Sequence, residues 1–244
     1  MMEIKLFKDY SLKNYTLIDA FPGVGLVGPM AGSYMIEKLQ MEYIGYIDSN
    51  EFPPIAAIHH GKPMFPARLY KDDKYKLIIA MSEFVIPSGS VYELSLELLA
   101  FVRKSGISKT ISISGMPSQK PSENVFITSP DEEVIKKVNK LGMKVISEGV
   151  VAGVGAVLMT NSNQFKVESM NILVEVNPQV MDPKYAEIAL KGLNKIINID
   201  IELKSLQEES KVVEAKMRDV MKKMKETPEH YNKAAEATGP SMYA

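Results

Sequence analysis

Glycines at 23, 25 and 28 form the pattern Gly-x-Gly-x-x-Gly between an apolar run, Tyr15 to Ala20, and a segment with helical spacing. Asp48 follows about 20 residues later. Such glycines let a backbone approach a pyrophosphate, the helix N-terminus favours its charge, and the acid takes a ribose hydroxyl. The pattern is formally that of a dinucleotide-binding enzyme. Phe21-Pro22, however, stiffens the entry that should lead straight into the first glycine, and the chain after Asp48 enters a proline-rich region instead of another βαβ repeat. Close packing of a helix on a strand asks for the same glycines, so both readings stand.

Other chemistry is sparse. The chain has no Cys, which removes disulfides, thiolate nucleophiles and thiolate metal sites together. Of its three His, His59 and His60 are adjacent and would point to opposite faces of a strand, and His230 lies near the end. No Gly-x-Ser-x-Gly elbow occurs; Ser112, Ser114 and Ser118 have no evident base, and Glu83 and Glu93 are isolated acids. We expect no catalytic residue, no metal and no cofactor. Twenty-nine basic against 30 acidic residues leave a net charge of −1, which offers nucleic acid or an anionic membrane no cationic field. No apolar stretch approaches the ~18 residues of a membrane span. The expectation is a soluble, cytoplasmic protein.

The elements that would position these residues follow from periodicity. Tyr15–Ala20 reads as a strand and Met30, Tyr34, Met35 and Leu39 as a helix, with Pro29 in its first turn. Tyr43–Ile47 as a second strand would complete a βαβ unit. Pro53, Pro54, Pro63 and Pro66, with the Gly61-Lys62 turn, indicate a hairpin or edge strands. Lys76–Met81, Thr110–Ser114 and Met170–Val176 read as strands. Helices are expected from Ser88 to Lys104, stopped by Gly106, from a capping box at Ser129-Pro-Asp-Glu132 to Leu141, and from Asp182-Pro183 to Ile197. Gly149, Gly153 and Gly155 open either a tightly packed helix or a phosphate-like loop. The fold class expected is α/β, a central mixed, largely parallel sheet flanked by helices, spanning residues 1–198.

Residues 199–226 differ in character. They hold no Gly or Pro, and Ile199, Leu203, Leu206, Val213, Met217, Val220 and Met224 fall at a/d heptad spacing. Such a narrow stripe fits a self-associating coiled coil better than packing back on the domain. As one helix it would project about 40 Å. Thr227-Pro228 ends it, and residues 227–244, poor in apolar side chains, read as a flexible tail.

Several blocks resemble the proteasome assembly chaperone family in its archaeal form. They are Phe21–Gly28 followed by Tyr34 to Leu39, Phe52-Pro-Pro54, Gly61-Lys-Pro63, Pro66–Tyr70, Ser82–Pro87 with Tyr92-Glu-Leu94, Ser114–Pro117 and Glu148–Gly155. The resemblance covers roughly residues 15 to 226. It implies a fold similar to nucleoside phosphorylases without their catalytic residues, and a role as chaperone or activator of the core proteasome particle. In that light Met242-Tyr243-Ala244 fits the hydrophobic-tyrosine-any ending of proteasome activators. A terminal carboxylate can pair with a pocket lysine while the tyrosine ring fills a cleft between α-subunits. The partner implied is the α-subunit ring. A homo-oligomer, a tetramer being one form, joined through Leu203, Leu206, Val213, Met217, Val220 and Met224, would present several tails at once and gain avidity.

Overall fold

A computed structural model describes residues 2–59 and 61–203, with Leu206 and Ala215. Its strands are β1 (Met2–Leu6), β2 (Thr16–Asp19), β3 (Glu42–Ser49), β4 (Ala57–His59), β5 (Lys62–Met64), β6 (Ala67–Asp72), β7 (Leu77–Ser82), β8 (Lys109–Pro117), β9 (Val125–Thr128), β10 (Lys144–Val145) and β11 (Glu168–Val176). The helices are α1 (Val27–Lys38), α2 (Val91–Ser105), α3 (Glu132–Lys140), α4 (Val154–Phe165) and α5 (Pro183–Ile197). One nine-stranded sheet runs in the order β1-β3-β6-β7-β2-β8-β11-β9-β10, and β4 and β5 form a hairpin of their own. The class is the expected one: a mixed sheet flanked by helices.

Parallel pairing occupies the centre, β7-β2-β8-β11. The wings are antiparallel where β6 meets β7, β3 meets β6 and β1, and β9 meets β11. Buried strands such as Leu77–Ser82, wholly apolar but for Ser82, suit a centre covered on both faces. On one face α1, α3 and α5 bury Met30, Tyr34, Val134, Ala186 and Leu190 against Ile18, Ile111 and Ile172. On the other, α2 and α4 bury Leu94, Leu98 and Leu158 against Leu17 and Ile78. Each buried Leu, Ile, Val or Met among these contributes roughly 1.5–3 kcal/mol by leaving water.

Three local expectations need correction. The strand read as closing a βαβ unit, now β3, lies three places from β2, with β7 and β6 between, and its ladder partners are antiparallel. Hydrophobic pattern sets a strand's burial but not its neighbours, so a crossover that skips two strands leaves no trace in it. The cap of α3 is Asp131, whose carboxylate accepts from Glu133 N at 2.8 Å. Ser129 is used instead to tie the loop to β11, its Oγ donating to the Ser169 carbonyl. Finally, the heptad helix expected from 199 does not begin there. Asn198, at φ 51°, closes α5, and 199–203 are non-helical.

The core itself continues past 198. Ile199, Ile201 and Leu206 are buried with α1 and α5, and Leu203 packs at their edge. Tyr34 Oη donates to the Glu202 carbonyl at 2.6 Å, and Asn194 Nδ2 donates to that of Ile201 at 3.2 Å. The first part of the seam therefore packs back on the domain. Val213, Met217, Val220 and Met224, and the tail with Met242, Tyr243 and Ala244, lie outside the described residues.

Candidate functional site

The Gly23–Gly28 loop sits where β2 delivers it, at the C-terminal end of the parallel strands. Asp48 does not join it. It is half exposed on β3 beside Lys5, and its backbone partner is Glu3 of β1. The two halves of a dinucleotide fingerprint are thus three strands apart, and the nucleotide-enzyme reading loses its ribose-binding acid.

The glycines answer to packing. A Cβ on Gly28 would lie 2.8 Å from the Ile113 carbonyl oxygen and 3.0 Å from that of Phe21. Gly25, at φ 68°, lies against Val176, whose methyls a Cβ would approach to 3.1 Å. Leu26 and Val27, both buried, close the start of α1 with apolar side chains where a pyrophosphate would need room. Gly23 is different: its backbone is extended at φ −141° and nothing lies within 4 Å of a Cβ placed there. We expect Gly28→Ala to cost about 1–3 kcal/mol through backbone displacement, and Gly23→Ala almost nothing. Thermal melts of the two variants check this contrast; equal losses would contradict the packing account.

Charge is concentrated in two places that sequence did not single out as sites. The first is at the top of β6 and β7. Arg68, only 2% exposed, places NH2 on Glu83 Oε1, and the same oxygen meets His59 Nε2 from the β4–β5 hairpin. Arg68 NH1 donates to the Phe65 carbonyl at 3.1 Å. Burial raises the affinity of Glu83 for a proton, but the His59 hydrogen bond and the Arg68 charge outweigh it and hold the carboxyl below its ordinary range. An arginine in the otherwise apolar strand Ala67–Tyr70, with one acid at the end of the next strand, was the signal available. The second place is Asp19, buried at mid-sheet with no cation beside it among the described residues. Its carboxylate accepts from Phe21 N at 3.1 Å and lies beside Ser112; burial pushes it up to about 6 despite both bonds.

The Arg68–Glu83–His59 group ties strands to the hairpin, whereas Asp19 is a buried acid held by two hydrogen bonds; neither lines the open depression at the ends of β8 and β11. That depression, lined by Pro117, Ser118, Gln119, Asn177, Pro178 and Gln179, holds no ionisable side chain. Among the described residues no three His, Asp or Glu gather as a metal would require, and no helix is long and apolar enough to cross a membrane. Of the residues expected to join chains, Leu206 is wholly buried in the chain's own core.

Comparison with known proteins supplies what geometry does not. Residues 17–221 match the family model described as the PAC2 family. The chain is similar to PbaA of Pyrococcus furiosus, an archaeal homologue of proteasome-assembly chaperone. Their identity is 28%, and a TM-score of 0.81 covers 93% of this chain and all of that one. It also shares the fold of PbaB of the same organism, an archaeal proteasome activator. There the identity is 22% and the TM-score 0.75, over 90% of this chain and 98% of that one. An uncharacterised protein of Methanocaldococcus jannaschii is 28% identical over 208 residues, 85% of this chain and 86% of its own.

Proposed function

The chain belongs to the PAC2 family, and from that we propose that it is a non-catalytic proteasome-binding protein. It docks C-terminal tails into pockets between α-subunits of the core particle, and so assists assembly of that particle or opening of its gate. The observation that carries this is the likeness to PbaA over the whole of that chain, joined to a terminus that reads Met242-Tyr243-Ala244. Tyr243 fills a cleft, Met242 anchors beside it, and the Ala244 carboxylate pairs with a lysine.

Each tail binds weakly by itself. Copies joined into a homo-oligomer by Val213, Met217, Val220 and Met224 engage several equivalent pockets together, which converts later contacts into intramolecular ones. Leu203 and Leu206, which the sequence adds to that seam, are engaged with the chain's own core, so the joining surface starts beyond them.

Surface-immobilised core particles and the purified full chain test the proposal. Removing residues 242–244, or Tyr243→Ala, is expected to weaken binding at least tenfold, about 1.4 kcal/mol, while the melting transition and oligomer size stay unchanged. Unchanged affinity in the truncated chain would sink the tail mechanism.

A further inference from the structure

Strand β1 ends the nine-stranded sheet: β3 lies on one side of it and, among the described residues, no strand lies on the other. Such an edge offers unpaired backbone groups, and a strand from outside can extend the sheet there. Which groups face outward follows from the register. Met2 stands opposite Ser49 and Leu6 opposite Gly45, and Phe7, next in line, donates its N–H to the Ile44 carbonyl at 3.0 Å. Only alternate residues of an antiparallel strand bond a given neighbour. Glu3, Lys5 and Phe7 therefore bond the β3 side, and the N–H and C=O groups of Met2, Ile4 and Leu6 point away from the sheet. Glu93, in the first turn of α2, agrees with that parity: its Oε1 accepts from Met2 N at 2.9 Å. Among the described residues nothing meets the Ile4 or Leu6 N–H.

The side chains alternate as well. Met2, Ile4 and Leu6 pack with the core beneath α2. Glu3 and Lys5 share the opposite face, 49% and 45% exposed, with Lys5 Nζ 2.9 Å from Glu3 and 3.9 Å from Asp48. Met2-Glu-Ile-Lys-Leu6 is thus complementary to its own reverse. Turned about a two-fold axis at Ile4, a second β1 sets Ile4 opposite Ile4, Met2 opposite Leu6 and Glu3 opposite Lys5, so apolar meets apolar and each acid meets a base. The outward backbone groups fit this register: Ile4 bonds Ile4 reciprocally, and each Leu6 N–H reaches the Met2 carbonyl of the second copy, leaving Met2 N with Glu93. The neighbouring registers of the same parity would instead set Glu3 against Glu3 or Lys5 against Lys5.

We propose that β1 is an interface between two copies of this chain, paired antiparallel about Ile4 so that one sheet runs through both. The occupant of the edge is a second copy because the charge order and the hydrogen-bonding parity select the same self-pairing. The contact needs neither the tail nor residues 213–224, so it stands or falls apart from the docking of tails.

Hydrogen exchange of the full chain, followed residue by residue, reads the Ile4 and Leu6 amides, which face water in a lone copy. In the parent they are expected to exchange at least about tenfold more slowly than in Glu3→Lys or in Lys5→Glu, each of which sets like charges across the pair. Both side chains are exposed, so the fold does not depend on them. Glu3→Lys combined with Lys5→Glu restores opposite charges and should recover most of the protection, with Asp48 beside position 5 keeping it below the parent's. A contact between Glu3 and Lys5 within one chain cannot imitate this pattern, because it covers neither amide. Fast exchange of both amides in the parent at millimolar chain leaves the edge to solvent or to a strand of another protein, and overturns the proposal. Protection that the single reversals leave unchanged, or that the combined variant fails to recover, overturns it equally.

Discussion

Replacing Glu83 by alanine is expected to destabilise the fold by about 3–5 kcal/mol, enough to halve the stability of an ordinary domain. The cause is what remains. Arg68 is 2% exposed and would keep its full charge with no carboxylate to face, while its Nε already lacks a partner. The His59 contact goes as well, removing one tie of the β4–β5 hairpin, which has no ladder to the main sheet. A double variant, Arg68→Met with Glu83→Leu, should recover most of the loss, because buried pairs exchange for apolar side chains at little cost. Urea denaturation of the two variants makes the comparison. A small loss in Glu83→Ala would show that the pair is unimportant, and no recovery in the double variant would show that the stranded Arg68 charge is not the cause of the loss. Because the Glu83 carboxyl is held below its ordinary range, its contribution is present at neutral pH. It disappears only as the pH falls below about 4 and the folded carboxylate protonates.

Asp19 should act in the opposite sense. Its carboxyl is raised to about 6 by burial, against about 3.9 in an unfolded chain. Between these values the folded protein holds a proton that the unfolded chain has released. Asp19 therefore subtracts stability as the pH rises from about 4 through 6, reaching a constant penalty of about 3 kcal/mol above 7. Asp19→Asn keeps an acceptor for Phe21 N and removes the charge. It should be more stable than the parent at pH 8 by up to about 3 kcal/mol, and the advantage should vanish near pH 4. Other carboxylates add their own pH dependence to both proteins, so the difference between the two stability curves is the quantity to measure. A difference that does not change between pH 4 and 8 would place the Asp19 charge in contact with water.

Much of the fold can be read from periodicity because each element buries one face. The helix 91–105 with its Gly106 stop, the hairpin around Gly61 and the strand before Val176 all follow from local pattern and turn chemistry. Strand order does not, since β3 looks the same to its own sequence whether it lies beside β2 or three places away. The capping pattern at Ser129 misleads for a related reason: Asp131, two residues on, is an equally good acceptor, and tertiary structure gives the serine to Ser169. Asp19 carries no mark of its burial, because a single acid at the end of an apolar strand is also how a strand reaches the surface. The glycine fingerprint was legible as a turn and a close approach, whereas the choice between nucleotide and packing needed the position of Asp48. The proposed docking residues 242–244 are legible only as a terminus beside a family resemblance.

The central placement of β2 fixes an order of events during synthesis. This strand ends at Asp19, yet its two neighbours, β7 and β8, end at Ser82 and Pro117, and the parallel centre closes only with β11 at Val176. A chain leaving the ribosome must hold the apolar segment Thr16–Asp19 unpaired until β7 is complete about 60 residues later, and paired on one edge only until β8 is complete about a hundred residues later, several seconds at ordinary rates of elongation. Loop closures of that length also slow refolding of the finished chain relative to a helical protein of the same size. A protein whose proposed task is to attend the assembly of another particle thus has a central sheet that only its own late-made strands can complete.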